Sequence, residues 1–150
     1  MAQSLVQIYV HIIFSTKNRT PSIVPEIENK LHNYLAGICN SKGCRALAIG
    51  GYFDHIHILC MLSKTVLIPN LVKDLKVGSS HWIKAQKGEF EKFYWQDGYG
   101  AFSVNPSEVL VVKEYIQNQK FHHEQRCFKE EYLAFLKKYN CSFNENYLWD

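Results

Sequence analysis

Two runs of alternating residues restrict this chain more than any other feature. In LVQIYVHIIF (Leu5 to Phe14), Val6, Ile8, Val10, Ile12 and Phe14 form a wholly apolar set, while Leu5, Gln7, Tyr9, His11 and Ile13 are mixed. In HIHILCML (His55 to Leu62), Ile56, Ile58 and Cys60 alternate with a set that opens on His55 and His57. Successive side chains of a strand point to opposite faces. Each run therefore reads as a strand with one face to bury and another that can carry polar rings. Strands of this kind need helices packed on the apolar face.

The rest of the chain supplies them. A loop, STKNRTPSIV, precedes a helix from about Pro25, with Ile27, Leu31, Leu35 and Ile38 on one stripe and Gly43 as its stop. CRALAIGGY is a further strand. Ile68, Leu71, Val72, Leu75, Trp82 and Ile83 mark a second amphipathic helix. The segment KGEFEKFYWQDGYG leads into a fourth strand, YGAFSV. In NPSE, Asn105 is placed as an N-cap, Pro106 as the first helical residue and Glu108 three residues on from the cap. That start predicts one helix through VLVVKEYIQNQKFHH. A last helix, KEEYLAFLKKY, precedes a polar and aromatic tail.

The order β-α-β-β-α-β is that of the ferredoxin-like, split βαβ, α+β fold. Right-handed crossovers put the first two helices on one sheet face and make the first and third strands the central pair. His55, His57 and His11 then share the opposite face, open to the third helix. With 150 residues and no internal linker, the chain is expected to form one domain, 1–150. An apolar fraction of 47%, 21% charged residues and a net charge of +3 suit a globular protein and permit, without demanding, a nucleic-acid partner. No apolar run reaches the ~20 residues of a membrane span. MAQSLVQIYVHIIF reads as a strand, not a signal peptide. The five cysteines lack C-x-x-C spacing, which favours a reduced, cytoplasmic chain.

The candidate chemistry lies on the uncovered face. His55 and His57 stand side by side, and Tyr115 and Gln119 are four apart on the third helix, hence on one side of it. Two imidazoles and an amide oxygen leave coordination positions open for substrate, which suits Mg²⁺ or Mn²⁺ in a Lewis-acid role, with zinc allowed by ligand type. Only about one tyrosine in a thousand is ionised at neutral pH, so Tyr115 as a nucleophile needs charge stabilisation at the reacting phosphate. The product would be a covalent phosphotyrosine.

The His-hydrophobe-His strand, with a helical tyrosine further on and a glutamine four beyond it, resembles the HUH superfamily of single-strand DNA endonucleases. More narrowly, HIIFSTKNRTP, GGYFDHIHIL, FYWQDGYGAFSV and VVKEYIQNQKFHH are similar, in order, to the single-tyrosine transposases of the insertion sequence 200/605 type and their relatives associated with repeated extragenic palindromes. The likeness runs from about Tyr9 to Glu131. It implies Tyr115 as nucleophile, His55, His57 and Gln119 as metal ligands, a 5′-phosphotyrosine link with a free 3′-OH, recognition of hairpins in single-stranded DNA, and a homodimer.

Other residues are candidates for DNA contact. Lys17, Asn18 and Arg19 form a basic loop, and Lys73, Lys76 and Lys84 line a helix face. Trp95 and Tyr99 could stack on unpaired bases or serve the core. His122 and His123 read as spare ligands, phosphate contacts or a solvated helix end, the last two favoured. Asp54 precedes His55, and strict alternation sends it to the other face. Two rival readings are a non-catalytic ferredoxin-like nucleic-acid-binding module, which needs exposed strand aromatics, and a zinc hydrolase indifferent to Tyr115.

Overall fold

The computed structural model describes residues 2–150. Its first elements are β1 (Ile8–Ser15), α1 (Pro25–Ser41), β2 (Arg45–Tyr52), β3 (His55–Leu62), α2 (Ile68–Lys84) and β4 (Gly100–Val104). The strands form an antiparallel sheet in the order β2-β3-β1-β4. This is the ferredoxin-like α+β arrangement expected from the sequence, with β1 and β3 central.

Pairing of β1 with β3 sets Phe14 opposite Ile56, Ile12 opposite Ile58 and Val10 opposite Cys60. These six are buried together with Ile27, Leu31, Leu35, Leu71, Leu75 and Ile83 of α1 and α2. Both helices therefore cover the apolar face. The strand starts at Ile8 and not at Leu5, because Ile8 already faces Leu62 at the end of β3. Residues before it have no strand to pair with, and Leu5 and Val6 are exposed.

The other face is covered by α3 (Val109–Gln117), α4 (Gln119–His123) and α5 (Phe128–Lys138), followed by a short α6 (Glu145–Leu148). Asn105 caps as expected, accepting from the Ser107 amide at 3.0 Å, although the first turn, Pro106–Glu108, is 3₁₀. The helix expected to run through His123 breaks at Asn118, whose φ of −101° and ψ of 23° leave the helical region. Val109, Val112 and Ile116 of α3 pack on Ala48, Leu59 and Val104, while Phe128, Tyr132 and Leu136 of α5 pack on Ile13 and Phe102.

One glycine decides how closely α3 approaches. A Cβ on Gly50 of β2 would stand 2.2 Å from the Ile116 carbonyl oxygen, so only a bare backbone lets this helix rest on the sheet. All five cysteines are free, with Cys39, Cys44 and Cys60 in the interior. Among the described residues no helix is long and apolar enough to cross a membrane.

Candidate active site

His55 and His57 alternate with Ile56 along β3, so both rings enter the space between the sheet and α3–α5, where they are buried. Each is fixed through Nδ1. Asp54 Oδ1 lies 2.8 Å from His55 Nδ1, and His11 Nε2 of β1 lies 2.8 Å from His57 Nδ1. Such partners orient a ring so that Nε2 faces a metal. The strict alternation that sends Asp54 away is relaxed at the β2–β3 turn, and its carboxylate reaches the neighbouring ring.

Both Nε2 atoms point to one place. Gln119 Oε1 is 3.0 Å from His55 Nε2, and Glu131 Oε1 is 2.9 Å from His57 Nε2. The same Glu131 oxygen is 3.6 Å from His55 Nε2 and 3.1 Å from His123 Nε2. One ligand atom from each of His55, His57, His123 and Glu131 lies within 4.8 Å of the others. The Tyr115 hydroxyl donates to Glu131 Oε2, the Gln119 amide donates to that oxygen at 3.2 Å, and Arg126 Nη2 donates to the Tyr115 oxygen at 3.2 Å. The His122 ring stacks on Tyr115, with centroids 4.4 Å apart.

The donor set fits a divalent cation. Asp54 engages His55 Nδ1, and the Gln119 oxygen stands 3.0 Å from His55 Nε2, a spacing that two neighbouring ligand atoms of one cation can share. His123 Nε2 is buried without an aligned hydrogen bond, the condition of a ligand atom awaiting its ion. Imidazole, amide oxygen and carboxylate together suit several first-row and alkaline-earth ions.

Burial, reinforced by His55 and His123, pushes His57 down to about 4 against the pull of Glu131. Burial, with His57 beside it, likewise holds His11 well below its ordinary value. Both rings are thus neutral at pH 7, as metal ligation requires. For Glu131, burial acts upward, but His57 and the contacts from His123 and His57 outweigh it and keep the carboxylate ionised. Burial and that same anion raise the Tyr115 phenol above its ordinary value, with Arg126 opposing. Tyr115 is therefore a protonated phenol whose proton already points at a carboxylate.

His55, His57, Tyr115 and Gln119, the four residues expected to act together, are brought together within one chain. His123 belongs with them. The break at Asn118 turns α4 so that Gln119 and His123 face the histidine pair, and the expected solvated helix end is not what His123 forms. Glu131 escapes a reading that stops at the tyrosine helix. Its signal is a carboxylate on the packing stripe of α5, three residues after Phe128 and four before Phe135.

Apart from His122 and His123, the expected DNA contacts lie elsewhere. Lys17 and Asn18 are exposed in the turn after β1, but Arg19 is drawn to the Trp149 carbonyl at 2.8 Å. Lys73, Lys76, Lys84 and Tyr99, with Tyr94, line a groove of about 490 Å³ beside α2, on the sheet face opposite Tyr115. Lys76 Nζ already donates to three carbonyls, those of Gln96, Asp97 and Gly98, at 2.7, 3.0 and 2.8 Å. Trp95 is core. Its indole donates to Ser79 Oγ at 2.9 Å and its ring meets Phe14 and Phe93 edge-on, leaving no open face for a base.

Comparison with known proteins gives this arrangement its setting. The family model described as Transposase IS200 like matches residues 4–119. The chain belongs to the IS200-like transposase family. A curated relative, the ISDra2 transposase TnpA of Deinococcus radiodurans, is 25% identical over 118 residues, covering 75% of this chain and 84% of the relative. A crystal structure of a Deinococcus radiodurans protein described as a transposase superposes with a TM-score of 0.62 at 24% identity, covering 79% of this chain and 98% of that one. A REP-associated tyrosine transposase bound to a REP hairpin superposes with a TM-score of 0.61 at 13% identity, covering 82% and 73%. In this IS200-like transposase the matched segment ends at Gln119, so His123 and Glu131 are features of the site lying beyond it. DNA transposition is the chemistry of the family, and the buried histidine and glutamate cluster fits the divalent metal that such chemistry uses.

Proposed function

We propose that residues 1–150 act as one transposase domain that cuts and rejoins single-stranded DNA in the cytoplasm, at sites marked by hairpins, through Tyr115. One observation supports the reading most. The Tyr115 hydroxyl donates to a carboxylate, Glu131, that itself lies among three buried imidazoles.

The step is an in-line transesterification. A bond forms from the Tyr115 oxygen to phosphorus, and the bond from phosphorus to the 3′-oxygen breaks. The phenol proton passes to Glu131, and the 3′-oxygen leaves as a hydroxyl, protonated from water. A 5′-phosphotyrosine remains, able to be attacked by another 3′-OH. Arg126, already on the phenol oxygen, stabilises the negative charge that grows as the proton leaves. His122, stacked on the ring, fixes its direction. Mg²⁺ or Mn²⁺ held by His55, His57 and Gln119, with His123 and Glu131 in reach, would polarise the phosphate and stabilise the departing oxygen.

Hairpin recognition in the REP-associated relative supports the same class of partner here. A homodimer is supported by Leu110 and Phe121, which are 76% and 60% exposed on the tyrosine-bearing helices α3 and α4. A purely binding ferredoxin-like module is disfavoured, because such modules take bases on an open sheet face and this one is covered by α3–α5.

The test is a denaturing gel. Labelled single strands from the DNA flanking the gene are incubated with Mg²⁺ or Mn²⁺ and with wild type, Tyr115→Phe or His55→Ala. A metal-dependent, protein-sized shift seen only with wild type is expected. Its absence, with hairpin binding intact, would reduce the protein to a binding module. Cleavage that persists in Tyr115→Phe would point to a hydrolase.

A further inference from the structure

A cleft of about 210 Å³ opens between α3 and α5 beside the nucleophile. Its walls include Val112 and Tyr115 of α3, Phe135 of α5 and Tyr139 just past the end of α5, and His11 of β1 lines it as well. Ala134 lines it too, and Arg126 and Lys138 set cations at a largely apolar opening. At about 30 Å³ per water, the space is that of roughly seven waters, enough for a flat heterocyclic ring. Phe102 and Phe135 stack on Tyr139, with centroids 4.7 and 6.4 Å away, and so hold that wall rigid.

The polar feature of this cleft has no partner. His11 is 1% exposed, and its Nδ1 is one of three buried side-chain polar atoms without a hydrogen bond among the described residues. The other ring nitrogen, Nε2, is engaged by His57 Nδ1. An orphaned nitrogen in a packed interior is costly unless something binds it. The state of the ring follows from its neighbour. If His57 keeps its Nε2 lone pair for a metal, its Nδ1 carries the proton and donates to His11 Nε2. His11 then carries its own proton on Nδ1, an atom closed to solvent in this structure.

We propose that this cleft is a nucleobase subsite, holding a base of the single strand next to the scissile phosphate between α3 and α5, against the aromatic walls of Phe135 and Tyr139. The inference rests on the DNA-cleaving reading above and deepens it. Aromatic and aliphatic walls suit a base, because every base has a π-face. The cationic rim suits the phosphates that flank it. The place is right for cutting as well. A base anchored against Phe135 fixes the strand beside Tyr115, and positioning of this kind is a large part of what a phosphoryl-transfer site contributes.

The test uses full-length Tyr115→Phe, which cannot cut, with Mn²⁺ and two probes of equal charge: a twelve-residue oligothymidylate and the same backbone with every base removed. The oligothymidylate is expected to bind about tenfold more tightly, as one or two stacked bases would give. Ala134→Leu, on the exposed rim of the cleft, should remove most of that ratio while leaving affinity for the abasic strand unchanged. Because a variant can fail to fold, the unsubstituted rim is probed too. Oligothymidylate carrying 4-thiothymidine is photocrosslinked, and the adduct is mapped by mass spectrometry. Adducts on Phe135 or Tyr139 are expected. Adducts only beside α2, or a base-dependence untouched by a folded Ala134→Leu protein, overturn the subsite while DNA cleavage stands. Failure of every strand to bind or be cut would instead defeat the reading on which the subsite rests.

Discussion

Glu131 shows what a single side chain does at this site and why it was hidden. His55, His57 and Tyr115 are legible from strand alternation and helix spacing, since each sits at a position where period alone tells which way it points, whereas Gln119 stands after the break at Asn118. Glu131 sits in another helix, and no local pattern says that α5 will set it beside β3. The long-range packing of Phe128 and Tyr132 on Ile13 and Phe102 does that. Its role gives a sharp expectation. Glu131→Gln keeps the shape but removes the charge that would receive the phenol proton in the proposed step. Single-turnover cleavage should fall by about 10²-fold or more, the usual contribution of a positioned base, and Mn²⁺ affinity should weaken with it. Hairpin binding measured by gel shift should stay within a factor of two or three. A variant that cuts at the wild-type rate would remove Glu131 from the mechanism. His123 is ambiguous in sequence for a related reason. A histidine at the end of a helix looks solvated in sequence, and only the break at Asn118, which no glycine or proline announces, turns it inward.

At the scale of elements, the order of strands and helices was legible almost throughout, because six segments declare their period and Pro25, Gly43 and Asn105 mark boundaries by backbone chemistry. What pattern cannot supply is the distance between two elements. Here that distance is fixed by Gly50, under the Ile116 carbonyl of α3. Gly50→Ala should push α3 from the sheet and carry Tyr115 and Gln119 away from the histidine pair. Overpacking of this kind costs about 1–3 kcal/mol, visible as a lower melting temperature, and adduct formation should drop further than the lost stability explains. Gly37 of α1 provides the contrast, since a Cβ there meets nothing within 4 Å. Gly37→Ala should stabilise the protein by about 0.5–1 kcal/mol, the helical preference of alanine over glycine, with cleavage unchanged. Equal losses in both variants would mean that α3 is not seated where Gly50 places it.

For the whole molecule, the buried histidines tie folding to pH. Without metal, His57 must stay neutral in the fold, with a folded value of about 4 against 6.5 for the free side chain. Between those values the unfolded chain binds a proton that the folded one does not, so stability rises with pH across this window and is lost as pH falls from 6.5 toward 4. The 2.5-unit difference sets an upper limit of about 3 kcal/mol for this group. The groups facing His57 are His11 of β1, His55 of β3, His123 of α4 and the Glu131 carboxylate of α5. His11, held low by burial, acts in the same direction, and so does Glu131, whose value is lowered and whose contribution is lost only at more acid pH. Melting in excess chelator should therefore fall by several degrees from pH 7 to pH 5, and His57→Gln should flatten that slope. Adding Mn²⁺ at a hundred times its dissociation constant at pH 7 contributes about 2.7 kcal/mol, or roughly 5–10 °C at this chain length. The same addition at pH 5 should do far less, because protons compete for the same nitrogen atoms. A melting temperature that ignores both pH and Mn²⁺ would mean that the cluster binds no ion. Arg126 would then be left alone to offset the charge that the proposed attack by Tyr115 creates.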